Sequence, residues 1–588
     1  MNIISKIYHG PNIYSSNRII VVEFSKSIFD DDLTVTISDL EKLRMIIAPS
    51  ISELIGLDQM ISSPEISNVN KLIIELVRRF LSYKVNYNLP IDIREIGSSK
   101  YQLAVEFNNV VAVDCAIRLA FIFTNIIKSK EKKLANQNNQ IQRLFLLLSN
   151  NVAGPLIQGM FSAAKEMNIP FYLIDGGQFE YSYGQGNKAI IHSHASNDRN
   201  SLFGFRMSDS KMKSNHFIKT LGYPTTEQIT TPNFESCLNA INKIGFPVVI
   251  KPLGAGSSNG ITANICNLNQ AQAAYKLAEQ LSPGNIAVEK YVEGAVYRIE
   301  VASGQINFVI EMTPAHVVGD GKNKIEELIR IENEKRFLDR ENGGYLKDLK
   351  IDQFSLAELQ NANLTVNSIP AKGEKAFLNR ISHANFGATS KTIEIDQVHP
   401  DVQAMAIEVS KAFRLDVSGI DYITKDITKS WRESGTIIEI NTFPSSNKER
   451  SMKIFEKEFS TPKNARIDTT LVISNKKDTS LHIYNEKLEK SPRTGYAHHD
   501  ELIFSNGKMA VLNEGLHAKC LALLLNPTCE GMVVAMTPED IVNDGLPIDQ
   551  FSECFIDPNC NVQEYKMNEL SLEDWLGQFV DKLETRAN

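Results

Sequence analysis

The sequence predicts an α/β (α+β) protein of several domains, and three observations carry that reading. GPLIQGMFSAAKEMNIPFYLID, from Gly154 to Asp175, reads as a Gly-Pro turn, a helix and a strand, the rhythm of an α/β unit. From 206 to about 450, apolar strands alternate with amphipathic helices around a glycine-rich loop. After about 456 the composition changes, and STPKNARIDTTLVIS brings a new strand into a further region. A length of 588 residues, at roughly 150 per domain, makes about four domains the starting expectation.

The elements follow in order. IIVVEF at 19–24 is a short apolar run, and Leu72, Ile73, Leu76, Val77, Phe80 and Leu81 repeat at helical intervals. KSKEKKLANQNNQ (128–140) reads as a solvated surface segment, and RLFLLLS (143–149) as a strand. A helix around 209–221 stops at Gly222 and Pro224, and a second, about 234–244, stops at Gly245. The strand PVVIKPL runs into GAGSSNG, followed by the strands ITANI and NIAVEKYV. YRIEVASGQINFVIEM is a hairpin turning at Ser303-Gly304. The polar, interrupted segment 340–375 reads as an excursion. HPDVQAMAIEVSKAFRL is a helix with Val402, Met405, Ala406, Val409 and Phe413 on one face. Two strands, VSGIDYI (417–423) and TIIEIN (436–441), form a long hairpin through KDITKSWRESG, and SLEDWLGQFVDKL is a capped amphipathic helix. No internal repeat is evident.

Composition excludes several classes. Apolar residues at 43% and charged residues at 22% fit a globular chain, not a disordered or fibrous one. A net charge of −8, spread along the chain, disfavours a nucleic-acid binder, which must neutralise phosphates. The seven cysteines include no CxxC pair, so neither a disulfide framework nor a structural zinc site is expected. Reduced thiols point to the cytoplasm. No apolar run suits a signal peptide, and no stretch of about 18 uninterrupted apolar residues suggests a membrane span.

The candidate chemistry lies in the middle of the chain. Gly254, Gly256 and Gly260 are spaced GxGxxxG, and a β-rich run follows them, so the loop is neither a dinucleotide fingerprint nor a Walker loop. A glycine hairpin can still aim backbone N–H groups at phosphates, although it also reads as a plain turn. Lys251, just before it, can neutralise phosphate oxygens. Glu439 and Asn441 share one face of a strand, and Asp421 falls opposite them if the hairpin forms. Two carboxylates and an amide oxygen suit Mg²⁺, although the acids also read as solvent-facing. AVEKYVEG (287–294) can pair its backbone with an adenine edge, with Tyr291 and Val292 in apolar contact. Lys211, Arg298 and Arg380 are candidate phosphate ligands, each of which alone also reads as a surface charge.

The order Lys211, VVIKPLGAGSSNGI, VEKYVEG, GID, EIN resembles the ATP-grasp fold and, more narrowly, the cyanophycin synthetase group. PAHVVGDGKNKIEELI (314–329), QVHPDV (397–402) and LDVSGIDYI (415–423) are similar to that group's central domain. HGPNIY resembles its N-terminal domain, and GPLIQGMFSAAKEMNIP with SYGQGNKAII resembles the start of its ATP-grasp domain. The resemblance implies that Lys211 and Lys251 bind ATP phosphates under the 254–260 loop, including Ser257 and Ser258. It implies that Glu289, Lys290, Tyr291 and Val292 frame the adenine, and that Asp421, Glu439 and Asn441 hold two Mg²⁺ ions. Arg298 and Arg380 are the expected catalytic cations. Four departures stand out: Val296 replaces an acid; Glu311 and Met312 replace paired arginines; Ser257 and Asn259 replace a His and an Arg; NKLIIEL (70–76) replaces a histidine-bearing segment.

The resemblance divides the chain into an N-terminal domain (1–160), an ATP-grasp domain (161–455) and a Mur-ligase-like domain (456–588). In the last, ARIDTTLVISNKKDTS (465–480) lacks the phosphate-loop glycines, and Asp478 takes the lysine position. His498-His499 reads as a polar turn. This pattern resembles the second, truncated type of cyanophycin synthetase, which joins β-aspartyl-arginine dipeptides. The expected function is an ATP-dependent carboxylate–amine ligase acting through an acyl phosphate on amino acids or peptides, as a dimer or tetramer. The alternatives are a binding or regulatory pseudoenzyme and a natural-product peptide ligase.

Overall fold

The computed structural model describes residues 4–26, 35–62, 68–84, 89–128, 135–174, 179–254, 259–341, 346–442, 447–510 and 514–585. The chain forms two compact units, one of residues 1–194 with 447–588 and one of residues 195–446.

The first unit begins with a four-stranded antiparallel sheet, ordered Lys6–Tyr8, Ile19–Ser25, Lys100–Glu106, Ile91–Ile96. The stripe from Leu72 to Leu81 lies on the helix Val69–Ser82, and its six residues are buried in one core with Ile20, Val22 and Leu103 of the sheet. The helix Val110–Lys128 completes this core. Its segment Val110–Ile127 is long and apolar enough to cross a membrane, with mean hydropathy 2.0, and 61% of it is buried. Asp114 and Arg118, one turn apart on it, pair at 2.7 Å.

RLFLLLS is not a strand. It belongs to the helix Ala135–Asn151. A continuous apolar run carries no period of its own; here Ile141, Leu144, Phe145 and Leu148, spaced three and four apart, pack against the core. KSKEKKLANQNNQ leads into the same helix, its residues 129–134 lying outside the described ones.

The second half of this unit holds a seven-stranded sheet. Its order is Met509–Ala510, Glu501–Ile503, Thr494–His498, Gly531–Met536, Asp468–Ile473, Glu553–Ile556, Leu583–Thr585. The five strands from Thr494–His498 to Leu583–Thr585 run parallel. His498 and His499 stand at the turn into the Glu501–Ile503 strand. The C-terminal helix is shorter than expected: Ser571 caps Leu572–Leu576, and Gly577 ends it. The residues beyond return to the sheet edge as Leu583–Thr585.

Besides a two-stranded ribbon of His316–Val318 with Lys375–Phe377, the second unit carries two larger sheets. The smaller is antiparallel, ordered Thr262–Ile265, Val248–Pro252, Ile286–Lys290, Gln228–Thr231. Val248, Ile250, Ile286 and Val288 bury one face against the helices Phe234–Ile244 and Leu268–Leu281. Gly245 ends the first helix at φ +77°. The larger sheet is ordered Thr389–Thr392, Gln305–Thr313, Ala295–Ala302, Val417–Thr424, Thr436–Asn441. Its central hairpin turns at Ser303 and Gly304, both at positive φ (48° and 72°), as a tight two-residue turn requires. Tyr297, Ile299, Val301, Ile420 and Tyr422 pack with Val402, Met405, Ala406 and Val409 of the helix Pro400–Ala412. The 340–375 excursion is not irregular throughout: it contains a helix, Gln353–Asn361, whose N-terminus Asp352 caps reciprocally with Ser355.

Candidate functional site

Period-2 alternation decides which side chains the large sheet leaves free. With Tyr297, Ile299, Ile420 and Tyr422 committed to the helix-packed core, Arg298, Glu300, Asp421, Glu439 and Asn441 fall on the opposite face. The register brings them together. Asp421 lies opposite Arg298 on one side and Glu439 on the other, and Gly419 opposes Asn441. A bulge between Asp421 and Tyr422 sets this alignment.

Arg298 grips Asp421 with both ends of its fork, through Nε to Oδ1 and through Nη2 to Oδ2 at 3.1 Å. Lys211, first residue of the helix Lys211–Thr220, reaches Glu439 at 3.5 Å. Asp421 is only 7% exposed. Burial pushes its carboxyl above the usual range, against the pull of Arg298. Burial also works against the Arg298 charge, but Asp421 and Glu439 outweigh it and hold the guanidinium above its ordinary value.

The Asn441 amide completes the donor set. Its buried Nδ2 has no hydrogen-bond partner among the described residues. No acceptor therefore fixes which way the amide points, and its oxygen can turn toward a ligand. Two carboxylates and an unengaged amide fit a hard divalent cation such as Mg²⁺.

The small sheet presents a second ion pair. Lys251 and Glu289 alternate away from its buried face and meet at 2.5 Å. Both are nine-tenths buried. Lys290 faces the other way, donating to the carbonyls of Gly245 and Phe246 at 3.0 and 3.2 Å. Tyr291 and Val292, half-buried, follow the strand end. Gly254 N–H donates to Ser282 Oγ at 3.3 Å. Gly260 adopts φ +74°, and a Cβ there would press on Leu281. Gly256, Ser257 and Ser258 lie outside the described residues. Arg380 pairs with Glu358 at 2.6 Å and lies over the Phe377 ring.

Two residues of this neighbourhood went unread in the sequence. Glu300, 2% exposed, shares the face of Arg298 and accepts from Asn307 at 2.6 Å. Its i+2 spacing from Arg298 was the available signal. His383 accepts from Asn385 N–H at 3.1 Å; burial, then the Arg298 charge, lowers its pKa. Only the fold brings it near Arg298, across 85 residues of sequence. Of the departures, Val296 and Met312 face each other in register, an apolar pair on the face that holds Arg298.

Residues 218–377 match the family described as D-ala D-ala ligase C-terminus. The cyanophycin synthetase of Crocosphaera subtropica is 31% identical over 333 residues, 56% of this chain and 38% of that protein. The one from Trichormus variabilis is 29% identical over 348 residues, 58% and 38%. The glutathione biosynthesis bifunctional protein GshAB of Streptococcus agalactiae is 29% identical over 204 residues, 34% and 27%. A solved bifunctional glutathione synthetase from Pasteurella multocida covers 59% of this chain and 52% of its own at 19% identity, with a TM-score of 0.39. The chain thus spans under two fifths of the length of the two cyanophycin synthetases. The matches define a class for part of the chain: residues 218–377 are similar to the C-terminal segment of D-ala D-ala ligases. Over more than half its own length the chain is similar to cyanophycin synthetases.

Proposed function

We propose that the chain is an ATP-dependent carboxylate–amine ligase that forms an amide bond on amino-acid or peptide substrates. The observation that carries this is the row Arg298–Asp421–Glu439, ended by Lys211 and flanked by Asn441. In this reading the γ-phosphoryl group of ATP passes to a carboxylate, and an amine then displaces phosphate to leave an amide. Asp421, Glu439 and Asn441 would hold two Mg²⁺ ions, whose charge offsets that of the phosphates. Lys211 and Lys251 neutralise phosphate oxygens, Arg298 keeps Asp421 oriented, and Glu289 holds the Lys251 ammonium in place. The domain limits 1–160, 161–455 and 456–588, a cytoplasmic setting and a dimeric or tetrameric assembly belong to the same reading.

The test is phosphate release from ATP with a panel of amino acids and dipeptides, with Mg²⁺ and with chelator, followed by product mass spectrometry. Release should need both an acceptor and the metal, and should yield one amide or a ladder of them. Silence across the panel, together with no ATP-induced thermal shift, would overturn the proposal.

A further inference from the structure

The first unit contains a cavity of about 1120 Å³, large enough for a ligand of peptide size. Its wall includes Glu106, at the end of the Lys100–Glu106 strand, and this carboxylate is only 6% exposed. Oε1 accepts from the Ser15 hydroxyl at 2.8 Å and the Asn17 amide at 3.0 Å, both neutral donors. Oε2 takes no hydrogen bond, and no cation pairs with Glu106 among the described residues. Of the three other acids of the wall, Asp544 pairs with Lys6 at 2.7 Å and Asp549 with Arg466 at 2.5 Å, while Glu514 is exposed to solvent. Oε2 keeps its lone pairs for a ligand's ammonium, with which a carboxylate makes a charge-assisted hydrogen bond.

The same cavity offers donors for the opposite charge. The helix Leu516–Leu524 opens into it at Gly515 without a side-chain cap, so its first-turn N–H groups favour an anion. His517, in that turn, donates Nδ1–H to the Pro547 carbonyl at 2.8 Å, and His9 stacks on it at 3.6 Å. The His9 ring nitrogens make no hydrogen bond among the described residues.

We propose that this cavity binds a zwitterionic amino acid or short peptide, with its ammonium on Glu106 and its carboxylate at the first turn of the Leu516–Leu524 helix beside His9. The proposal stands apart from the ligase reading, because every residue it uses lies in the other unit.

Calorimetric titration of the full chain without nucleotide tests it, using alanyl-alanine, its N-acetyl form and its C-terminal amide as probes. Alanyl-alanine should bind saturably, and blocking either end should weaken it by about tenfold or more. Glu106→Gln keeps an acceptor for Ser15 and Asn17 but removes the charge, and should weaken binding to the same degree. Ala518→Trp fills the cavity from a different element and should abolish binding. If one variant fails to fold, the other decides. Equal binding of blocked and free peptides, unchanged affinity in a folded variant, or no saturable heat from the free peptide would each overturn the assignment.

Discussion

Asp421 and Glu439 stand directly opposite each other on adjacent antiparallel strands, and each has its own cation, Arg298 and Lys211. Like charges in cross-strand register repel unless something neutralises them, so protein cations and a bound metal are two ways of meeting one demand. Asp421→Asn leaves the largely covered Arg298 guanidinium without its carboxylate. That should cost about 3–5 kcal/mol in urea unfolding, and turnover should fall by about a hundredfold or more. Asp421→Leu with Arg298→Met should recover the stability and none of the activity. A single variant as stable as the parent would show that the pair is not desolvated.

Lys251 and Glu289 make the same kind of prediction on the smaller sheet. Their side chains are 9% and 6% exposed, so solvent screens the pair little. Lys251→Met should destabilise by about 3 kcal/mol through the stranded Glu289 carboxylate, and adding Glu289→Leu should restore most of that. ATP affinity, read by equilibrium binding, should be lost in both variants. Retention of ATP affinity by the stable double variant would remove Lys251 from the phosphate site.

Asn12, in HGPNIY, has an organising role in the first unit. It is 1% exposed, donates to the carbonyls of Gly10 and Asn17, and accepts from the N–H groups of Tyr14 and Ser15. The loop it shapes meets the chain at 545–548, where Leu546 N–H donates to the Pro11 carbonyl and a Cβ on Gly10 would strike the Ile548 carbonyl. Asn12→Ala should therefore lower stability by about 2–4 kcal/mol, measured by denaturant unfolding. A loss under about 0.5 kcal/mol would mean that water replaces all four bonds.

The sequence made much of the second unit legible, because there local signals and fold agree. The Asn233-capped helix ending at Gly245, the turn at Ser303-Gly304 and the pairing of Val417–Thr424 with Thr436–Asn441 all follow from short-range chemistry. Asp421 opposite Glu439 was readable from alternation, although the bulge that fixes their register was not. Sequence pattern and structure part where the period is ambiguous or a glycine ends an amphipathic run, as with RLFLLLS inside a helix and Gly577 ending the last one. The Arg298–Asp421 fork and the partner of Lys251 depend on strands distant in sequence, so no local pattern announces them.

His9 and His517 predict a pH dependence. Burial lowers the His9 pKa to about 3 and that of His517 to about 4, from an ordinary value of 6.5. In the window from about 4 to 6.5 the unfolded chain binds protons that the folded chain refuses. Stability is therefore full above 6.5 and falls with decreasing pH, by up to about 1.4 kcal/mol per pH unit for each ring. Urea midpoints at pH 7 and pH 5 should show this loss, and His9→Phe, which preserves the stacking, should reduce it. An identical pH slope in that variant would assign the effect to other groups.

In the parallel sheet of the first unit, Asp468–Ile473 sits between Gly531–Met536 and Glu553–Ile556, and the chain changes direction across it. In open parallel sheets the crevice at such a point, beyond the strand ends, is where phosphates bind. Here Asp557 follows one of those strands. Its Oδ2 accepts from Ser474 at 2.7 Å and Thr479 at 3.2 Å, and its Oδ1 accepts from the Asn559 backbone and side chain, both at 2.9 Å. Burial works against this charge, but the hydrogen bonds hold the carboxyl below its usual range, so it stays ionised at neutral pH. The donors that a phosphate would need are spent on a carboxylate that repels it. Equilibrium dialysis with a non-hydrolysable ATP analogue should give one nucleotide per chain, and Lys251→Met should reduce that to none. A stoichiometry of two, or residual binding in the variant that Asp557→Asn strengthens, would show that this crevice still accepts phosphate.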